Sequence, residues 1–219
     1  MTMKLYFAPG ACSFVPHTLL ETIGEPFEPV MVKLHKQENY SPEYKAINPR
    51  SQVPVLVAGD QVITQIVAIV SYLDARFPQM GYLPSQPLDR ARAMGTLAWM
   101  NNTVHPTFTH VFMPFKFAGS PEGQAEIKAH SAKLYAPMLA EIEAMARAAA
   151  AKGQGYLGGE QFGPLDAYAL TLIRWGGFAG IDPDNYPTLW AHVQKVSTLP
   201  AVARAIERER LQLNVYKPA

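Results

Sequence analysis

Lys4-Leu5-Tyr6-Phe7-Ala8-Pro9-Gly10-Ala11-Cys12-Ser13 carries an apolar run, a Pro-Gly break and the only cysteine of the chain within ten residues. Leu5 to Phe7 reads as a short buried strand, and the apolar spacing of Phe14, Leu19, Leu20 and Ile23 predicts a helix beyond the break. Cys12 is therefore expected where a strand turns into a helix. Unpaired backbone N–H groups and a partial positive charge at a helix N-terminus favour a thiolate over a thiol. Taken alone, a lone cysteine is more often a small buried hydrophobe, and position is what makes Cys12 a candidate for thiol chemistry.

The neighbouring segments extend this into an alternating pattern. Gly24 is placed to end the first helix, and Glu28 to Leu34 reads as a second strand, with Pro29 assigning it to a sheet edge. Ser41-Pro42-Glu43 has the form of an N-cap followed by proline in the first turn, opening a short helix that Asn48-Pro49 closes. Val55-Leu56-Val57, preceded by Pro54, and Gln61-Val62-Ile63 flank Gly59-Asp60 as a hairpin. A helix then starts at Thr64 or Gln65, runs through Phe77 and stops at Pro78. The order is βαβαββα, an α/β unit.

Residues 79–87 contain a glycine and two prolines between a finished helix and a new one, so the boundary is placed there: 1–79, a linker at 80–87, and 88–219. The second part is all helical. Its helices begin near Asp89, with a kink expected at His105-Pro106 and a stop at Pro114. They continue at Ser120-Pro121, where a long helix with Ile127, Ser131, Leu134, Met138, Ile142 and Met145 on one stripe runs to Gly153, and then near Pro164, Pro187 and Pro200. In Phe162-Gly163-Pro164-Leu165-Asp166, glycine stands at the cap, which leaves Asp166 to reach back to free N–H groups.

Composition narrows the function. With 219 residues, 48% hydrophobic and 17% charged, the chain is of globular type. Nineteen Lys plus Arg balance eighteen Asp plus Glu, with no basic run, which argues against nucleic acid and anionic membranes as partners. A single cysteine excludes an intrachain disulfide, and no Cys/His set has zinc spacing, so no metal is expected. No run approaches a membrane span and the start lacks a signal-peptide pattern, so a cytoplasmic location is expected.

The βαβαββα order resembles the thioredoxin-like fold. Tyr6, Pro9 to Ser13, Pro16-His17, Ala46-Ile47-Asn48-Pro49, Gln52-Val53-Pro54, and Val67-Ala68-Ile69 before Tyr72-Leu73 resemble the glutathione transferases, most closely the bacterial beta class. The resemblance spans essentially the whole chain. It implies a thioredoxin-like domain followed by an all-helical one, glutathione as co-substrate, a small hydrophobic electrophile as second substrate and a homodimer. It also implies a cis Pro54, with the Val53 main chain pairing with the peptide backbone of glutathione, and a site that includes Gln52, Gln65 and Ile66. Gln65-Ile66 replaces the acidic residue and small or hydroxyl residue usual there, removing one charge and one hydroxyl from the γ-glutamyl subsite.

For chemistry, the resemblance singles out Cys12, able to form a mixed disulfide with glutathione, and His105, facing it from the helical part as a cationic or donating imidazole. Val15 stands where a resolving cysteine would be, so such chemistry is monothiol. Ser13 is a candidate donor to a glutathione thiolate or an ordinary helix-start serine. Tyr6 is a candidate substrate contact whose early place on the strand suits core packing, and His17 suits packing or helix hydrogen bonding. Trp99, Phe108, Phe112, Phe115, Phe117 and Trp175 are candidates for an apolar pocket. The expected activity is conjugation of electrophiles or reduction of small disulfides, in the service of detoxification. Two rival readings are a non-catalytic binding or stress-interaction protein on the same fold and an enzyme dedicated to one aromatic or chlorinated substrate.

Overall fold

A computed structural model of the chain describes residues 2–218. Its first part has a mixed four-stranded sheet in the order β2-β1-β3-β4, built from β1 (Met3–Phe7), β2 (Phe27–Met31), β3 (Val55–Ala58) and β4 (Gln61–Thr64). β1 runs parallel to β2 and antiparallel to β3, with Leu5 opposite Leu56 and Tyr6 opposite Val55. Pro29, which has no N–H for a ladder, lies on the edge strand. The second strand ends at Met31, three residues short of the expected end, because after the Val32 N–H bonds the Phe7 carbonyl the chain leaves the sheet and Leu34 enters a 3₁₀ turn.

Strand alternation sorts the two faces. Met3, Leu5, Phe7 and Leu56 join a large core with α1 (Phe14–Ile23) and α3 (Ile66–Arg76), while Tyr6, Val55 and Val57 join a smaller cluster with Val32 and with Tyr44 of α2 (Pro42–Ile47). Ser41 caps α2 as its sequence requires, its Oγ accepting from the Tyr44 N–H at 3.1 Å.

From α4 (Pro87–Trp99) onward the described residues are helical. α4 starts two residues earlier than Asp89 because proline serves as the first helical residue. The bend expected at His105-Pro106 is a π-helical turn at Met100–Val104 leading into α5 (His105–Phe112). The His105 N–H reaches back five residues to the Met100 carbonyl, and this wider turn accommodates a proline ring that would otherwise press on the preceding turn.

α6 (Pro121–Ala151) buries Ser131 and Ile142 of the expected stripe, with Met138 and Met145 packed against the core. Tyr135, Leu139 and Ala146 face the core and Leu134 is 45% exposed. The Tyr135 hydroxyl donates to the Leu172 carbonyl at 2.7 Å, so Tyr135 rather than its neighbour Leu134 is turned inward.

α7 (Pro164–Gly176) is buried along nearly its whole length, with α8 (Pro187–Ser197) beside it. Asp166 reaches back to the Gly163 N–H at 2.9 Å and also holds the Leu157 N–H and His192, which makes it a folding residue. α1 packs against both α7 and α9 (Pro200–Glu209), so the turn before α1 is held from the helical side. No helix among the described residues is long and apolar enough to cross a membrane.

Candidate active site

The turn between β1 and α1 is the centre of the site. Gly10 has φ 71° there, and a Cβ on it would stand 3.0 Å from the Arg174 guanidinium, so both conformation and space favour glycine. Trp175 Nε1 donates to the Gly10 carbonyl at 2.9 Å and the Gly10 N–H donates to Glu209 at 2.8 Å. The second Glu209 oxygen lies 2.6 Å from His17 Nδ1, and His17 Nε2 lies 3.0 Å from Arg208. Arg208 pairs with Glu21, as does Arg204. Both main-chain groups of Gly10 are thus held by the helical domain.

Cys12 lies one residue before the helix cap and is buried, its Sγ 3.6 Å from the Val53 carbonyl. Burial pushes its thiol up to about 12, outweighing the Cys12 and Ser13 N–H groups that favour the thiolate. The expected thiolate character thus yields to desolvation. Ser13 is fully buried, and its Oγ accepts from the Ala8 N–H at 3.1 Å and donates to the Ala8 carbonyl at 3.2 Å. In this arrangement Ser13 closes the turn, with its one hydroxyl proton directed to the Ala8 carbonyl.

Val53 and Pro54 are joined by a cis peptide. The Gln52 carbonyl is fixed by Tyr44 and Asn48, each at 2.8 Å, and this locks the backbone that leads into Val53. Gln52 and Gln65 are exposed, and Ile66 is the first residue of α3. Gln65 has φ 74°, a left-handed value that costs a non-glycine residue on the order of 1 kcal/mol and that sets the turn from β4 into the helix N-terminus. Tyr6 packs edge-on against Tyr44, with centroids 5.8 Å apart, and so lies in the smaller cluster while Cys12 joins the larger core.

His105 Nδ1 lies 2.9 Å from the Tyr168 hydroxyl, and its ring packs on Trp175 at 4.8 Å. Burial pushes the imidazolium down to about 4, which favours the neutral imidazole, hydrogen-bonded to the Tyr168 hydroxyl, at physiological pH. It meets the Cys12 turn through Trp175. Phe108, Phe112 and Trp175 do come together, joined by Phe178, whereas Phe117 stacks on His110 and Trp99 packs into the core. Tyr168, Arg174, Phe178 and Glu209 were not singled out in the sequence, and no local motif marks them.

A cavity of about 360 Å³ opens elsewhere, between Tyr82-Leu83 and Gly163 to Asp166. Asp166, one of its lining residues, is engaged by Leu157, Gly163 and His192, and none of the lining residues belongs to the turn.

A thioredoxin-like sheet whose cysteine-bearing turn meets a cis-proline loop and a helical domain defines a class, and comparison with known proteins specifies it. The family model for the glutathione S-transferase N-terminal domain matches residues 1–75. The glutathione S-transferase GstA of Escherichia coli O157:H7 is 31% identical, over 96% of this chain and the whole of that one. Among solved structures, a glutathione transferase homolog from Sulfitobacter with bound glutathione has a TM-score of 0.87 at 25% identity, covering 96% of this chain and 99% of that one. A sphingomonad glutathione S-transferase complexed with glutathione has a TM-score of 0.79 at 31% identity, covering 95% and 100%. The chain belongs to the glutathione S-transferase family.

Proposed function

We propose that this protein is a glutathione transferase in which the sulfur of glutathione, rather than Cys12, attacks a small hydrophobic electrophile. The observation that carries this is the meeting of Cys12 Sγ with the Val53 carbonyl at 3.6 Å, which sets a thiol beside the main-chain edge suited to an extended peptide. Among the described residues the Val53 N–H has no protein acceptor, so it can pair with the peptide backbone of glutathione.

The Ile66 N–H at the start of α3 is suited to a carboxylate, with the exposed Gln65 and Gln52 side chains beside it. Without an acidic partner for the amino group at Gln65, glutathione binding is weaker by about tenfold to a hundredfold than a charge-assisted contact would make it. Cys12, a neutral thiol whose S–H is directed to the Val53 carbonyl, turns that proton toward the glutathione sulfur when glutathione is bound and favours the thiolate there. Formation of a mixed disulfide is secondary, because it needs Cys12 to ionise against its burial. Phe112 and Phe178 offer the electrophile an apolar wall. A homodimer, a cytoplasmic location and a detoxifying role complete the reading, supported by membership of the family.

Calorimetry with glutathione, intact mass after incubation with oxidised glutathione, and conjugation of a chloro-nitrobenzene test it in the wild type and in Cys12→Ala. Millimolar or tighter binding and conjugation are expected in both proteins, with a reduced rate in the variant. Absence of binding at millimolar glutathione, or turnover carried wholly by a Cys12 adduct, would overturn the proposal.

A further inference from the structure

Arg174 makes no direct ion pair among the described residues; the carboxylate that acts on it through space, Glu209, is already engaged by the Gly10 N–H and His17. It is partly buried at the end of α7, and its Nε donates to the Gln212 carbonyl at 2.8 Å. No carboxylate pairs with it among the described residues, and its two terminal nitrogens find no protein acceptor there. A partly desolvated guanidinium whose terminal nitrogens lack acceptors is under-satisfied, and its planar pair of donors matches a carboxylate.

Its position adjoins the site. All three terminal guanidinium atoms lie 3.0–3.4 Å from where a Gly10 Cβ would be, so the charge sits directly on the turn that leads to Cys12. On its other side the guanidinium lies over the Phe178 ring at 5.5 Å. Phe178 meets Phe112 at 5.7 Å, Phe112 stacks on Phe108 at 5.7 Å, and Phe108 stacks on Trp175 at 4.6 Å. Phe112 is 53% exposed and Phe178 42% exposed, so the outer end of this aromatic wall is open to solvent beside the cation.

We propose that Arg174 is the specificity residue of the second-substrate pocket and that the electrophiles it selects are flat aromatic molecules carrying a carboxylate. The ring lies against Phe112 and Phe178, the carboxylate takes the two terminal donors of Arg174, and the reacting carbon is turned toward the glutathione sulfur. This rests on the transferase reading above. With a haloarene, a sulfur–carbon bond forms, the carbon–halogen bond breaks, the halide departs with the bonding pair, and the thiol proton passes to solvent. A charge-assisted pair of hydrogen bonds corresponds to a preference of about tenfold to a hundredfold over the neutral ester.

The test compares kcat/KM for para-chloro-meta-nitrobenzoate and for its methyl ester in wild type, Arg174→Lys and Arg174→Met. Calorimetry with para-nitrobenzoate and with glutathione on the same three proteins accompanies it. The wild type is expected to prefer the acid. The acid-to-ester ratio is expected to fall at least tenfold in Arg174→Met and to recover in part in Arg174→Lys, with nitrobenzoate affinity following and glutathione affinity not. A wild-type ratio at or below one overturns the proposal without any variant and leaves the transferase reading standing. A loss of glutathione affinity in Arg174→Met with the ratio unmoved assigns the anchor to a carboxylate of glutathione itself and also overturns it. If neither compound is conjugated, the transferase reading fails, and nitrobenzoate binding decides the anchor: dependence on Arg174 supports it, independence overturns it.

Discussion

Glu209 accepts the Gly10 N–H at 2.8 Å across 199 residues of sequence, while its other oxygen lies 2.6 Å from His17 Nδ1. The last turn of α9 therefore holds the turn that presents Cys12. Glu209→Ala leaves a buried N–H and a buried histidine without an acceptor, and loss of one partner from such a set costs about 3–5 kcal/mol. Urea unfolding should register a loss of that order, with a smaller loss for Glu209→Gln. An unchanged midpoint in Glu209→Ala would show that the turn holds its shape unaided.

His105 gives acid sensitivity of a definite sign. Burial depresses its folded-state value to about 4, against about 6.5 for an unperturbed histidine. Below about pH 6.5 the unfolded chain takes up a proton that the folded chain refuses. The contribution is thus complete above that pH and is lost as pH falls toward 4, by up to about 3 kcal/mol. Urea midpoints at pH 7.5 and pH 5 measure it, and in His105→Gln this part of the difference should vanish. An imidazole midpoint near 6.5 by NMR would contradict the assignment.

Cys12 should be slow to alkylate. With its thiol pushed up to about 12, roughly one molecule in ten thousand carries the thiolate at pH 8. The rate with iodoacetamide should lie far below that of free glutathione and rise about tenfold per pH unit as the pH increases from 8. The folded chain keeps this proton where the unfolded chain, with a thiol near 8.5, gives it up. The linked stability is therefore full below about pH 8.5 and declines as pH rises toward 12. Fast alkylation at pH 7 would mean that the sulfur is far less desolvated than its surroundings require.

At the γ-glutamyl subsite, Gln65→Glu supplies the absent charge without altering side-chain length. Glutathione affinity should rise about tenfold or more, read by calorimetry. No gain would place the amino group of glutathione away from Gln65.

Gly177 follows α7 where the C-terminal segment crosses it. A Cβ there would stand 2.5 Å from the Tyr216 N and 2.8 Å from the Val215 carbonyl carbon. Gly177→Ala must displace that segment, at a cost of about 1–3 kcal/mol. Thermal unfolding and faster proteolysis after Leu213 provide the check.

Most of the architecture was legible because its signals are local. Ser41-Pro42, Ser120-Pro121, Pro164, Pro187 and Pro200 start helices through backbone geometry that needs no distant partner, and Gly24 and Asn48-Pro49 stop them equally locally. In α6 the expected Leu134 gives way to its neighbour Tyr135, which α7 holds through the Leu172 carbonyl, a contact no local signal marks. At the site, the residue types around Cys12, Val53-Pro54 and Gln65-Ile66 could be read, but their protonation could not. Arg174 and Glu209 carry no motif at all.

The sequence by itself determined a βαβαββα unit, a helical second part, a lone cysteine at the first strand-to-helix turn and a membership visible in that turn. Only the tertiary structure decided that Cys12 is a neutral thiol, that His105 is a neutral imidazole, that Ser13 is engaged within its own turn, and that a guanidinium and a carboxylate from the far end of the chain close on Gly10. The reason is physical. Helix starts and turns depend on neighbours within a few residues, whereas desolvation and the pairing of charges depend on which atoms from elsewhere replace water.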